Sequence, residues 1–261
     1  MEKDYMKFAT KIAYKAGAIM RKNFNNKVEK SYKEDNTIVT KADKEINDYL
    51  IACVKKDYKT HSVDGEEKTF GKSKYVWVCD PIDGTAMFAR GVPVAVFSLA
   101  LVVDGEPVLG VVYDPWNDNL YSAEKGKGAY KNGKKISVSD IEIGDKRSLG
   151  NYDMWNTSEY NIFPVIEKLY EKSSIYSIGS VVRACMCVAE GEFGFAIFPG
   201  TDHKNCDIAA SKIIVEEAGG KVTDIFGNEQ RYDQSINGAI VSNKVNYENL
   251  LGYIKKYTKN K

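Results

Sequence analysis

The segment Asp80-Pro81-Ile82-Asp83-Gly84-Thr85 places two carboxylates three residues apart, directly after the apolar run Tyr75-Val76-Trp77-Val78-Cys79. Pro81 stiffens the turn between the acids, Gly84 permits close backbone approach, and Thr85 adds a hydroxyl where the next element begins. Strand ends of layered folds are where ligands bind. An ordinary Asp-Gly turn accounts for Asp83-Gly84 alone. It does not account for a second acid on the strand tip, where repulsion rises for no gain. Hard divalent cations such as Mg²⁺ take oxygen ligands, and three further regions supply acids. Asp64-Gly65-Glu66-Glu67 follows a strand expected to end near Val63, while Asp207 and Asp43 stand at expected helix starts. Each has a plain reading by itself, as a solvated acidic turn or a helix-start carboxylate favoured by exposed N–H groups and the dipole. Together the four regions point to one metal cluster.

The elements that must position these acids fall into two rhythms. Phe8, Ile12, Ala16, Ile19 and Phe24 recur at near-helical spacing and predict an amphipathic helix over residues 3–24. Residues 27–36 are polar and read as a loop or weak hairpin. A second helix starts near Asp43, with Ile46, Tyr49, Leu50 and Cys53 on its apolar face and Thr40 at capping-box spacing. The run Val92–Val103 reads as a strand buried on both faces. Asp104-Gly105 then signals a hairpin into Pro107–Tyr113, with shorter strands at residues 120–122 and 129–130. Beyond a soft boundary near residues 140–150, helices (159–171, 179–189, 206–218) alternate with strands (174–177, 193–197, 221–223, 239–241), which predicts α/β layering. Gly219-Gly220 stops the third of these helices, and a basic, exposed helix ends the chain.

Composition narrows the function. The chain has 261 residues with Lys+Arg 37 against Asp+Glu 36, a balance that argues against a nucleic-acid polymer as partner. The chain is 43% hydrophobic and 28% charged, ordinary for a globular protein with a large core. Only His61 and His203 are available to any histidine mechanism. Five scattered cysteines, including a Cys185-x-Cys187 pair, read as reduced thiols of a cytoplasmic protein. Charges interrupt every apolar stretch near the start, so no signal peptide is expected, and Val92–Val103 is too short to span a bilayer as a helix. No membrane partner is expected.

Taken together, Gly65-Glu66-Glu67, Asp80-Pro81-Ile82-Asp83-Gly84-Thr85, and Cys206-Asp207-Ile208-Ala209-Ala210 running to Glu217-Ala218-Gly219-Gly220 resemble the inositol monophosphatase family in order and spacing. This family lies within the superfamily that includes fructose-1,6-bisphosphatase and the 3′-nucleotidases. Val39-Thr40-Lys41-Ala42-Asp43 and Gly110-Val111-Val112-Tyr113-Asp114-Pro115 match as well, and the resemblance extends from about residue 5 to about residue 245. It implies a layered αβαβα sandwich. Residues 1–145 would form an α+β part with an antiparallel sheet and the Asp80–Thr85 motif. Residues 146–261 would form an α/β part supplying Asp207 and substrate contacts.

It implies further a Mg²⁺-dependent phosphomonoesterase acting on a small phosphorylated metabolite, an inositol monophosphate-like compound or a sugar phosphate. Glu66, Asp80 and the Ile82 carbonyl would hold one magnesium, and Asp80, Asp83 and Asp207 a second. A third, weaker ion would sit near Glu66. Thr85, supported by Asp43, would orient or deprotonate the attacking water, with no phosphoenzyme. The Gly84 and Thr85 N–H groups would cradle the phosphate, Lys33 would lie in a loop near the metals, and a homodimer is implied.

At the substrate end, Gly179-Ser180 matches a family helix start, and Arg183 stands where an anionic group is reachable. Cys206 replaces the family's usual Trp. Phe198-Pro199-Gly200-Thr201-Asp202-His203-Lys204-Asn205 replaces a shorter loop that in inositol-specific members carries an acid; Asp202 is the nearest substitute, while His203 reads as a solvated loop residue. Fructose 1,6-bisphosphate, histidinol phosphate and a 3′-phosphonucleotide therefore stand as alternative substrates. A haloacid-dehalogenase-type phosphatase is the first rival, but its acids are two apart, not three, and it gives Glu66 no role. A non-catalytic regulator on the same fold would be expected to lose Thr85 or a ligand, and all are present. No Gly-x-x-x-x-Gly-Lys-Ser/Thr segment supports a P-loop kinase.

Overall fold

The computed structural model describes residues 4–24, 30–32, 38–153, 160–201 and 204–260. Helix α1 (Tyr5–Phe24) is followed by the short hairpin strands β1 (Lys30–Tyr32) and β2 (Ile38–Thr40), then α2 (Lys41–Asp57). Thr40 and Asp43 form the capping box expected at the start of α2. Strands β3 (Ser62–Gly65), β4 (Thr69–Phe70), β5 (Tyr75–Asp83), the four-residue α3 (Thr85–Phe88), β6 (Val96–Val103), β7 (Glu106–Asp114), β8 (Asn119–Glu124), β9 (Ala129–Lys131) and β10 (Lys134–Lys135) follow. The remainder comprises β11 (Leu149–Tyr152), β12 (Tyr160–Asn161), α4 (Phe163–Tyr170), β13 (Ser174–Tyr176), α5 (Val181–Ala189), β14 (Phe195–Thr201), α6 (Asn205–Glu217), β15 (Lys221–Thr223), β16 (Asn237–Ser242), α7 (Tyr247–Tyr257) and β17 (Lys259–Asn260).

Two sheets carry the layers. The larger runs β10-β9-β8-β7-β6-β5-β3-β4 and the smaller β13-β11-β14-β16-β15. Alternation along β5 and β6 explains why both faces of the larger sheet are apolar. Trp77, Cys79, Phe97, Leu99 and Leu101 pack with α1 and α2, whereas Val76, Val78, Val96, Ala100 and Val102 pack with α5 and α6. The smaller sheet covers α5 and α6 from the other side, and α4 and α7 close its far face through Val165, Leu169, Phe195, Ile240, Leu250 and Ile254. The order is helices, sheet, helices, sheet, helices, as expected. Among the described residues no helix is long and apolar enough to cross a membrane.

Several local expectations are corrected. The strand expected from Val92 begins at Val96, because Val92 and Val94 make turn hydrogen bonds. The helix expected from residue 159 starts at Phe163 with Pro164 in its first turn. The last helix is basic at its end but not wholly exposed, since Tyr247, Leu250, Leu251 and Ile254 are buried.

The larger sheet is mixed rather than antiparallel, because β3 runs parallel to β5. The physical reason lies in β4, which hairpins back at the sheet edge so that the chain re-enters beside β3 running the same way. Parallel pairing puts the ends of β3 and β5 at the same edge, which brings Glu66 beside the Asp80–Asp83 tip.

Candidate metal and phosphate site

β5 supplies two of the acids, and a bulge decides where they point. Asp80 pairs with Ser98 and Asp83 with Val96, so three steps on β5 oppose two on β6. In a regular strand a spacing of three would send the two side chains to opposite faces. The extra residue, next to a proline that has no N–H to give the ladder, lets both turn toward the α5–α6 layer. Asp80 Oδ1 accepts the Ile82 N–H at 2.9 Å, which fixes the turn. Glu66 joins through its own N–H, bonded to the Cys79 carbonyl at 3.0 Å.

Asp207 arrives from the first turn of α6. That helix crosses β7 closely: a Cβ on Gly110 would lie 2.8 Å from the Ala210 carbonyl. The result is a tight donor set in which oxygens of Asp80 and Asp207 and the Cys206 sulfur all lie within 4.8 Å of one another. Asp80 is 3% exposed and Asp207 4%. The Cys206 thiol donates to Asp207 Oδ1 at 3.2 Å, and Lys204 Nζ stands 3.9 Å from Asp207 Oδ2.

Asp83 has a second attachment. It accepts hydrogen bonds from the Ser180 hydroxyl, from Val181 N–H at 3.2 Å and from Val182 N–H at 2.9 Å. It thus caps α5 from another part of the chain and ties that helix to the β5 tip. Gly84 makes the approach possible. Its φ is +89°, and a Cβ there would lie 2.9 Å from the Gly179 carbonyl, so a side chain is excluded twice over. The Thr85 hydroxyl donates to the Ile82 carbonyl at 2.8 Å and lies 3.4 Å from Asp43 Oδ1. Asp43 is fully buried and also accepts from the Thr40 N–H at 2.8 Å.

The electrostatics follow from crowding acids in a dry place. Burial, then the charges of Glu66, Asp207 and Asp83, push the Asp80 carboxyl well above the usual range, with Lys204 opposing. Burial raises Asp207, against the opposing pull of Lys204. Burial and the Asp207 charge push Asp83 up to about 7, although its three hydrogen bonds pull the other way. Burial likewise pushes Asp43 up to about 7 against the Thr40 hydrogen bonds. Lys204 is held above its ordinary value, chiefly by Asp207. Buried carboxylate oxygens that disfavour their own ionisation fit a hard divalent cation, which reverses the local sign.

The structure thus brings Asp80, Asp207 and Glu66 into one electrostatic neighbourhood, with Asp83, Gly84, Thr85, Asp43, Gly179 and Ser180 around it. Arg183 is turned away from these acids. Its guanidinium donates to the Tyr121 hydroxyl at 2.8 Å and stands 3.8 Å from Asp114 and 3.9 Å from Glu190. Lys33, Asp202 and His203 lie outside the described residues. Two contributions went unread in the sequence: Lys204 beside Asp207, and the Cys206 sulfur within the donor set. A lysine three residues before the acid was the available signal for the first.

A profile of the inositol monophosphatase family matches residues 1–259. The chain belongs to the inositol monophosphatase family. It is 30% identical over 256 residues to an inositol monophosphatase of Mesembryanthemum crystallinum, with 92% of each chain covered. It is 35% identical over 234 residues to a fructose-1,6-bisphosphatase/inositol-1-monophosphatase of Thermotoga maritima, with 87% of each covered. Among solved structures, an IMPase of Thermotoga maritima superposes with a TM-score of 0.86 at 30% identity, covering 97% of this chain and 98% of that one. Members of the family hydrolyse phosphate monoesters and depend on a divalent metal, generally Mg²⁺; this chain is a phosphatase of that kind.

Proposed function

We propose that the chain hydrolyses an inositol monophosphate-like or sugar monophosphate substrate at the Asp80–Asp207 centre, using two to three Mg²⁺ ions. The observation that carries this is the convergence of Asp80 and Asp207, from distant parts of the chain, to within 4.8 Å in a buried place. Glu66, Asp80 and the Ile82 carbonyl would hold one cation, Asp80, Asp83 and Asp207 another, and a third would lie near Glu66. The Ile82 carbonyl accepts from Thr85 and retains a second lone pair for this role. Bound Mg²⁺ supplies positive charge for the phosphate and the leaving alkoxide, and acidity for a water at neutral pH.

The protein's own groups do the rest. With its hydroxyl hydrogen turned from the Ile82 carbonyl to Asp43 Oδ1, Thr85 orients the attacking water, accepting the water's proton as it passes its own to Asp43. The Gly84 and Thr85 N–H groups hold phosphate oxygens. Asp83 fixes the start of α5, so that Gly179 and Ser180 face the substrate alcohol. Water attacks phosphorus directly, without a phosphorylated aspartate.

Relatives named fructose-1,6-bisphosphatase/inositol-1-monophosphatase keep the bisphosphate as a second reading. The commitment of Arg183 to Tyr121, Asp114 and Glu190 supports the monophosphate, because it engages the cation that was expected to reach a second anionic group. We assign Arg183 to bracing α5 against the larger sheet. We also propose that residues 1–145 and 146–261 are the two functional parts, and that the protein works as a cytoplasmic homodimer.

Phosphate release from a panel of phosphomonoesters, with and without Mg²⁺, tests the reading. Mg²⁺-dependent turnover of an inositol or sugar monophosphate is expected, and Asp83→Asn is expected to abolish it. Wild-type activity in that variant refutes the ligand assignment.

A further inference from the structure

We propose that Cys206 makes this centre a site for a thiophilic divalent cation of the zinc class, held by the Cys206 sulfur together with carboxylate oxygens of Asp80 and Asp207. The inference rests on the metal-centre reading above and adds a soft ligand to it. Sulfur and the two oxygens lie within 4.8 Å of one another, and all three residues are buried. Zinc-to-sulfur bonds of about 2.3 Å and zinc-to-oxygen bonds of about 2.0–2.2 Å put tetrahedral donors about 3.5 Å apart, so the set closes on one ion if its widest separations contract by about 1 Å. The thiol already points at the set, donating to Asp207 Oδ1 at 3.2 Å. Cys206 also lines a cavity of about 160 Å³ with Asp64, Gly65, Glu66, Thr69 and Asn205, which gives room for further oxygen ligands and water.

Cation chemistry decides which state the thiol adopts. Mg²⁺ is hard and selects oxygen, so it takes the carboxylates and leaves the Cys206 sulfur out of its shell. Zn²⁺ or Cd²⁺ binds thiolate. One cation enters, the Cys206 S–H bond breaks, its proton leaves to solvent, and no electron is transferred. The same carboxylates serve both classes, so a thiophilic cation competes with Mg²⁺ and slows turnover. The other four cysteines lie outside this donor set.

Cd²⁺ is the probe, because a sulfur-to-cadmium bond gives an ultraviolet charge-transfer band that reports the ligand without reference to activity. Titrating the intact, Mg²⁺-free protein is expected to produce the band with one Cd²⁺ per chain, and added Mg²⁺ is expected to bleach it. Cys206→Ser is expected to lose the band and to weaken Cd²⁺ binding by about tenfold or more, whereas Cys53→Ser and Cys187→Ser retain it. Absence of the band in the wild type, a band that Mg²⁺ does not reduce, or one that persists in Cys206→Ser overturns the proposal. The Mg²⁺ competition needs only wild-type protein, so the test survives if Cys206→Ser fails to fold. A wild type without Mg²⁺-dependent phosphatase activity would instead defeat the underlying metal-centre reading.

Discussion

Removing the metal should leave a protein that becomes less stable as pH rises, the reverse of ordinary acid denaturation. Burial takes Asp43 and Asp83 from 3.8 to about 7 in the folded state. Between about pH 4 and about pH 7 the folded protein therefore holds more protons than the unfolded chain, and stability falls with rising pH. The contribution is complete below the unfolded value and gone above the folded one. A rise from 3.8 to about 7 corresponds to at most about 4 kcal/mol for each carboxyl. For a chain of this length about 1 kcal/mol moves Tm by roughly 2–4 °C, so one such carboxyl lowers Tm by about 10 °C across the window. The assay is thermal unfolding of chelator-treated protein by circular dichroism at several pH values, repeated with saturating Mg²⁺. Mg²⁺ should flatten the dependence and stabilise most at the high-pH end, because there it displaces no protons. A metal-free Tm that stays level or climbs from about pH 4.5 to about pH 7 refutes the reasoning.

Three substitutions probe how the site is held. Thr85→Val should lower kcat by about 10²-fold or more while leaving the fold intact; steady-state kinetics with a thermal melt checks this, and an unchanged kcat removes Thr85 from the reaction. Gly110→Ala puts a Cβ 2.7 Å from Ile213 Cγ2 and 2.8 Å from the Ala210 carbonyl. It should cost about 1–3 kcal/mol and raise the Mg²⁺ concentration needed for activity as α6 withdraws Asp207; wild-type melting and Mg²⁺ dependence would contradict that. Arg183→Ala should destabilise by about 2 kcal/mol and weaken kcat/KM about equally for inositol monophosphate and fructose 1,6-bisphosphate. A loss confined to the bisphosphate would put the guanidinium on the substrate instead.

Much of this was legible before any coordinates. The apolar periodicities of α1 and α2 locate the body of the first and the start of the second to within a few residues, because a 3.6-residue repeat leaves one surface to bury, whereas α6 is buried on every side and is marked instead by Gly219-Gly220 at its end. Asp104-Gly105 marks the β6–β7 hairpin for the equally local reason that few residues suit such a turn. Boundaries next to irregular backbone were less legible. Val92 to Ala95 are as apolar as the strand that follows, yet Val92 and Val94 are taken up in turn hydrogen bonds.

At the site, residue types and spacing determined the chemistry: a set of carboxylates with a threonine and no histidine among them calls for hard cations wherever it gathers. Tertiary structure alone decided that it gathers, and how. The β4 edge hairpin makes β3 and β5 parallel and brings Glu66 to the strand tip, and the bulge at Pro81 turns Asp80 and Asp83 to one side. The packing of α5 and α6 between the sheets then sends Arg183 to Tyr121 and brings Cys206 into the acidic cluster. These are contacts between segments far apart in the chain. Their geometry is fixed by how whole layers pack, and no local pattern of side chains encodes it.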